Sequence, residues 1–168
     1  GAEAEDIYRR ILRRDPDHVE AMRHMAAIAT KHQQYRDAEV FLQQAVKVAP
    51  DYARGWLELS VAQLNGDKLE EAIESARRVV ELVPDTAEAH LALGNAQARA
   101  DWPEQAAESY RAALDIVPDH AGAFSGLGQQ LKTIGRQEDA IEVYRQSIKC
   151  DPTNAEPYWS LANMKTFR

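Results

Sequence analysis

Five histidines and one cysteine are the side chains in this sequence best suited to catalysis or metal binding. His18, His24, His32, His90 and His120 fall in neither an H-E-x-x-H pattern nor a Cys/His zinc spacing. Cys150 stands alone, so neither an internal disulfide nor a cysteine metal cluster can form. Gly126 and Gly128 spell G-x-G, but a phosphate-binding loop needs a preceding strand and either a third glycine or G-K-[ST]. Gly122 and Gly126 spell G-x-x-x-G without the apolar membrane helix that gives that motif its meaning. Carboxylates are plentiful, yet no pair stands out as a general acid and base. The residue types point to a chain that binds rather than reacts, and no cofactor is expected.

Composition sets further bounds. The 168 residues are 45% hydrophobic and 28% charged, as in folded soluble proteins. The formal net charge of -7 disfavours nucleic acid, whose binding needs clustered Lys and Arg to displace counterions. Arg9, Arg10, Arg13 and Arg14 read as a solvated outer helix. No signal-peptide pattern and no membrane-spanning apolar run is found. No membrane association and a cytoplasmic setting are the expectation.

What must position these residues is a repeat. Pro16, Pro50, Pro84, Pro118 and Pro152 recur every 34 residues. Counted from three residues past each proline, the units are 19–52, 53–86, 87–120 and 121–154, with a partial unit at 155–168. The fourth place holds Met22, Trp56, His90, Phe124 and Tyr158; the seventh holds Met25, Leu59, Leu93, Leu127 and Leu161. The eighth is always small: Ala26, Ser60, Gly94, Gly128 and Ala162. These places share one face of a helix, helix A. Ala38, Ala72, Ala106 and Ala140 begin a second face at place twenty, continued by Leu42, Ala76, Tyr110 and Tyr144 at twenty-four. That face belongs to helix B. Small residues at eight and twenty let the two backbones approach closely.

The turns agree. A residue before proline avoids the α region, so helix B ends there. Asp17, Asp51, Asp85, Asp119 and Thr153 are expected to cap the next helix A, with Glu20, Glu88 and Glu156 completing capping boxes. Asp101 is expected to cap helix B of its unit, with Pro103 in the first turn. His18 and His120 are expected in solvent, His90 packed and hydrogen-bonded, and Cys150 buried as a small hydrophobe. Leu93→Ala or Leu127→Ala should each cost about 2–5 kcal/mol if those side chains are fully buried.

These columns resemble the tetratricopeptide repeat over essentially the whole chain. The departures are Ala76, where an aromatic is usual, and Gln63 and Gln97, where an apolar residue is expected. The resemblance implies an all-α fold, an alpha-alpha superhelix: a right-handed solenoid of antiparallel helix hairpins. It implies a single array over 1–168, with a leftover helix B at 3–14 and a lone helix A at the C-terminal end. Ala4, Tyr8 and Ile11 hold places twenty, twenty-four and twenty-seven of that leftover helix.

The family also implies a concave groove lined by the other side of each helix A. Its candidate peptide-binding residues are Arg23, Ala27, Arg54, Leu57, Glu58, Val61, Leu91, Asn95, Arg99, Ser125, Gln129, Lys132, Trp159 and Asn163. The amides could hold an extended peptide by its backbone, since each offers donor and acceptor. A family clamp for C-terminal carboxylates is not matched: Arg23 keeps the charge, but Glu58 and Glu88 would repel the ligand. The expected partner is therefore a protein or peptide in the groove. Gly122 and Gly126 are read as leaving space on the exposed face.

The last helix, with Tyr158, Leu161, Met164 and Phe167, shows an apolar face awaiting a downstream domain or a second copy. The stretch from Asn154 to Arg168 also resembles the junction of bacterial proteins in which tetratricopeptide repeats precede a sulfotransferase domain. That resemblance implies a recognition module without the catalytic residues.

Overall fold

The computed structural model describes residues 2–165. Among them are ten helices and no strand. They are α1 (Ala2–Arg14), α2 (Val19–Lys31), α3 (Tyr35–Val48), α4 (Ala53–Asn65) and α5 (Leu69–Leu82). Then follow α6 (Ala87–Arg99), α7 (Pro103–Ile116), α8 (Ala121–Thr133), α9 (Gln137–Cys150) and α10 (Ala155–Lys165). Contacts divide the chain into two compact units, Gly1–Val83 and Pro84–Arg168.

In the first unit α2 pairs with α3 and α4 with α5, while α1 packs on α2 and α3 on α4. Its core joins Ala26, Ala29, Ala38, Leu42, Val46, Leu59 and Ala62, with Phe41 and Trp56 along the edge. In the second unit α6 pairs with α7 and α8 with α9; α7 packs on α8 and α9 on α10. Its core gathers Ala106, Ala107, Tyr110, Leu127, Leu131, Ala140 and Tyr144. The recurring columns are these cores. All four place-twenty alanines are fully buried.

The small residues at place eight have a direct steric reason in the second unit. A Cβ on Gly94 would stand 2.9 Å from the Tyr110 ring, and one on Gly128 would overlap the Tyr144 ring. Gly126 departs from expectation. A Cβ there would collide with the other side of Tyr110, so this glycine is a packing position. One tyrosine thus occupies the gap between α6 and α8.

Each A-to-B turn is built the same way. Gln33, Asp67, Asp101 and Gly135 take positive φ of 59°, 62°, 59° and 81°. The next N–H reaches back five residues: Gln34 to Ala29, Lys68 to Gln63, Trp102 to Gln97 and Arg136 to Leu131. This is the Schellman ending, which satisfies carbonyls the helix leaves unpaired. Asp101 is therefore the left-handed residue rather than a cap; Trp102 precedes the helix and Pro103 opens it.

The helix A caps fall one residue later than Asp17 and Asp119. His18 and His120 hold the cap positions, and their Nδ1 atoms accept the Ala21 and Ala123 N–H groups at 3.2 Å. Both rings are half-buried rather than free in solvent. Tyr52 and Thr86 hold the cap positions of α4 and α6, in place of Asp51 and Asp85. Asn154, not Thr153, accepts from the Glu156 N–H at 3.0 Å. The proline and the residue after it form the turn, so the capping place moves on by one. Glu20, Glu88 and Glu156 then stand one residue short of the reciprocal capping-box position.

Three further expectations are corrected. Cys150 is exposed, as are its register equivalents Val48 (39%) and Ile116 (37%). Leu93 is half-buried whereas Leu127 is buried, so the full cavity cost applies to Leu127 alone. Gln63 and Gln97, which stand where an apolar residue is expected, are buried in polar pairs: each Oε1 accepts from a serine of helix B, Ser75 or Ser109, at 2.7 Å.

Candidate binding face on the A helices

Burial of places four, seven and eight leaves the opposite side of each helix A outward. Two side-chain contacts show that neighbouring A helices set these outer sides next to each other. In the first unit the Arg23 guanidinium of α2 meets the Glu58 carboxylate of α4 at 3.3 Å. In the second, Ser125 of α8 donates to Glu156 of α10 at 2.5 Å.

The first unit presents a strip on α2 and α4. Ala27 and Val61 are exposed, Val61 at 44%, while Leu57 and Leu64 are half-buried. An ionic network occupies one end of the same faces. Arg23 binds Glu20 at 2.9 Å as well as Glu58, and Arg54 binds Glu58 at 3.0 Å. Tyr52 donates to Glu20 at 3.1 Å. The hydrogen bond from Arg23 holds the Glu20 carboxyl below its usual range and raises the Arg23 guanidinium. Burial, reinforced by the Glu20 carboxylate, pushes the Tyr52 hydroxyl up. Two cations and two carboxylates cancel here, so the Arg23 charge is already engaged within the protein.

Two side chains at this end of the faces have no motif in the sequence: Tyr52, which ends its repeat and joins the network, and Tyr8 of α1, which stacks on His24 with ring centroids 4.6 Å apart. The signal available for Tyr8 was its place-twenty-four register, where Tyr110 and Tyr144 also carry rings.

The second unit presents a more polar face on α6, α8 and α10. Asn95, Gln129, Lys132 and Asn163 are exposed, Leu91 and Ser125 are half-buried, and Trp159 is 70% exposed. Arg99 is exposed at the end of α6, as Arg54 is at the start of α4. Tyr110 donates to Asn95 Oδ1 at 2.8 Å, so that oxygen is engaged and the amide N–H groups are what an incoming carbonyl would meet. The candidate residues are divided between the units: Arg23, Ala27, Arg54, Leu57, Glu58 and Val61 belong to the first, the remainder to the second.

Away from these faces, His90 is half-buried and hydrogen-bonded. Its Nε2 lies 2.8 Å from the Pro84 carbonyl, which can only accept, so that nitrogen carries the proton. Trp56 donates to Pro50 at 2.9 Å and Tyr158 to Pro152 at 3.3 Å in the same register. The fourth place thus often carries a polar tip that pins the preceding turn. Among the described residues, no three His, Cys, Asp or Glu side chains converge as metal ligands, and no helix is long and apolar enough to cross a membrane. Phe167 lies outside the described residues.

Family models described as tetratricopeptide repeat match residues 1–60, 29–99 and 87–120, and one described as TPR repeat matches 128–164. No curated protein sequence matches the chain. A solved structure of MamA superposes with a TM-score of 0.84 at 21% identity, covering 90% of this chain and 88% of that one. YrrB, described as a TPR protein with an unusual peptide-binding site, gives 0.85 at 19% identity over 96% and 83%. A MamA fragment from Desulfovibrio magneticus RS-1 gives 0.84 at 18% identity over 91% and 86%. At these identities the likeness is one of fold.

Proposed function

We propose that this chain, which belongs to the tetratricopeptide repeat family, is a protein-interaction module that holds an extended peptide on the outer faces of its A helices. The observation that carries this reading is the side-by-side placement of successive A faces, with apolar and amide side chains left outward: Val61 and Leu57 in one unit, Trp159, Asn95 and Gln129 in the other. Apolar side chains supply desolvation energy, and amides supply backbone recognition. YrrB, a fold neighbour whose name carries a peptide-binding site, lends analogy only. The neutralised Arg23 network favours a peptide bound by its interior over one bound by a terminal carboxylate.

A peptide array probed with the whole chain tests this. Leu57→Glu, Val61→Glu and Asn95→Ala should each weaken binding about ten-fold or more while helicity is unchanged. Binding that survives all three removes these faces from the account.

A second reading concerns context. The stretch from Asn154 to Arg168 resembles the junction before a bacterial sulfotransferase domain, which would make this array the recognition part of a sulfonate-transferring enzyme. The residues encoded after position 168 decide it: a strand, phosphate-binding turn and helix support it, and a polar capping helix followed by a stop rules it out.

A further inference from the structure

The place-twenty-four tyrosines of the second unit reach its binding face from beneath. Tyr110 belongs to α7, a helix B, and its ring lies between Gly94 of α6 and Gly126 of α8, where a Cβ on either glycine would press against it. The side chain is 3% exposed, yet its hydroxyl ends at Asn95, an exposed residue on the outer side of α6. One repeat on, Tyr144 of α9 lies against Gly128 and is hydrogen-bonded to Ser160 of α10.

The repeats divide along the same line. In the first unit place nine is Ala27 and Val61, and place twenty-four is Leu42 and Ala76. In the second unit place nine is Asn95 and Gln129, and place twenty-four is Tyr110 and Tyr144. An amide at place nine goes with a hydroxyl at place twenty-four, and an apolar side chain goes with none.

The direction of the Tyr110 hydrogen bond matters to a ligand. A carboxamide is an acceptor at one end and a donor at the other. On a free surface asparagine the two ends exchange by a half-turn, and a ligand that needs one of them must immobilise it at an entropic cost. A buried tyrosine hydroxyl takes a partner, and the Tyr110 O–H donates to Asn95 Oδ1 at 2.8 Å. That bond engages the oxygen and leaves both Nδ2 N–H groups on the side away from the hydroxyl.

We propose that Tyr110 is a positioning residue for recognition: it holds the Asn95 carboxamide with its N–H groups outward, so that α6 selects a ligand acceptor, the backbone carbonyl of an extended peptide, over a donor. The inference rests on the peptide-binding reading of the A helix faces and adds the polarity that the ligand must present at α6. The ring and the hydroxyl have separate tasks. The ring fills the space left by Gly94 and Gly126, and the hydroxyl sets the amide.

Isothermal titration calorimetry of the whole chain with the strongest peptide from the array is the test, with Tyr110→Phe, Asn95→Ala and the double variant forming a cycle. Tyr110→Phe keeps the ring against both glycines, and circular dichroism should show unchanged helicity. It should weaken binding about 3- to 10-fold, as expected for one ordered hydrogen bond. In the Asn95→Ala background the same substitution should weaken binding no further, because no carboxamide is left to orient. The Asn95 side-chain amide signals should also shift when the peptide is added to the unmodified chain. A Tyr110→Phe variant that binds as tightly as the unmodified chain overturns the inference and leaves the peptide reading standing. So does equal weakening in both backgrounds, the mark of a tyrosine that acts through packing alone, and so do Asn95 side-chain signals that stay in place. Binding indifferent to Asn95→Ala overturns it as well, and if Leu57→Glu and Val61→Glu are equally without effect the peptide reading falls with it.

Discussion

At Gly128 the absence of a Cβ is what lets Tyr144 lie against α8, as Gly94 and Gly126 do for Tyr110. Gly128→Ala should therefore lower stability by about 1–3 kcal/mol in urea unfolding, despite the better helix propensity of alanine. Ser75 and Gln63 set a second residue-level condition, because their 2.7 Å hydrogen bond is buried. Ser75→Ala strands the glutamine oxygen and should cost about 1–3 kcal/mol. Gln63→Leu with Ser75→Ala should recover much of that loss, a coupling that a double-mutant cycle reads directly. Tyr110 ties the same interior to pH. Burial pushes its hydroxyl up to about 12 from an ordinary 10.0. The unfolded chain ionises first, so the stability that neutral Tyr110 contributes is complete below about pH 10 and is lost as pH climbs toward about 12. Ultraviolet titration should show a late-ionising component that Tyr110→Phe reduces, and the same substitution should flatten the alkaline loss of stability.

At the scale of the helix, burial decides how much each repeated leucine contributes. Leu127→Ala should cost about 2–5 kcal/mol, and Leu93→Ala clearly less, because Leu93 keeps partial contact with water. The A-to-B turns offer a converse test. Gln33 adopts a left-handed conformation that costs an ordinary residue about 1–2 kcal/mol, so Gln33→Gly should raise stability slightly and Gly135→Ala should lower it. The helices themselves were legible in the sequence, since Leu59, Leu127 and the alanine column recur at spacings only an A-and-B hairpin can bury. The caps were misplaced by one residue because aspartate is a strong cap and follows each of four prolines, while the geometry after proline puts His18 and His120 at the cap. After α4 the positive φ falls on Asp67, while Gly66 is the C-cap at φ -83°. The Gln63–Ser75 and Gln97–Ser109 pairs were present as a repeated twelve-residue spacing. They read as departures because a polar residue at an apolar place announces its partner only in three dimensions.

At the scale of the molecule, each unit buries its own core, and stability is expected to be local to a repeat and its neighbours. Leu127→Ala should consequently speed amide hydrogen exchange through residues 84–165 more than through 2–83. The candidate binding faces were only half legible. Place numbers alone chose the outward side of each helix A, and Val61 and Trp159 are indeed open there. The engagement of Arg23 by Glu20 and Glu58, and of Asn95 by Tyr110, depends on side chains one helix away and has no signature in a single helix. The most direct test of the account is an amide NMR titration of the chain with the strongest peptide from the array. Shifts should cluster on the outer faces of α2 and α4, or of α6, α8 and α10, around Val61, Asn95, Gln129 and Trp159. Shifts confined to the B helices α3, α5, α7 and α9 would contradict it.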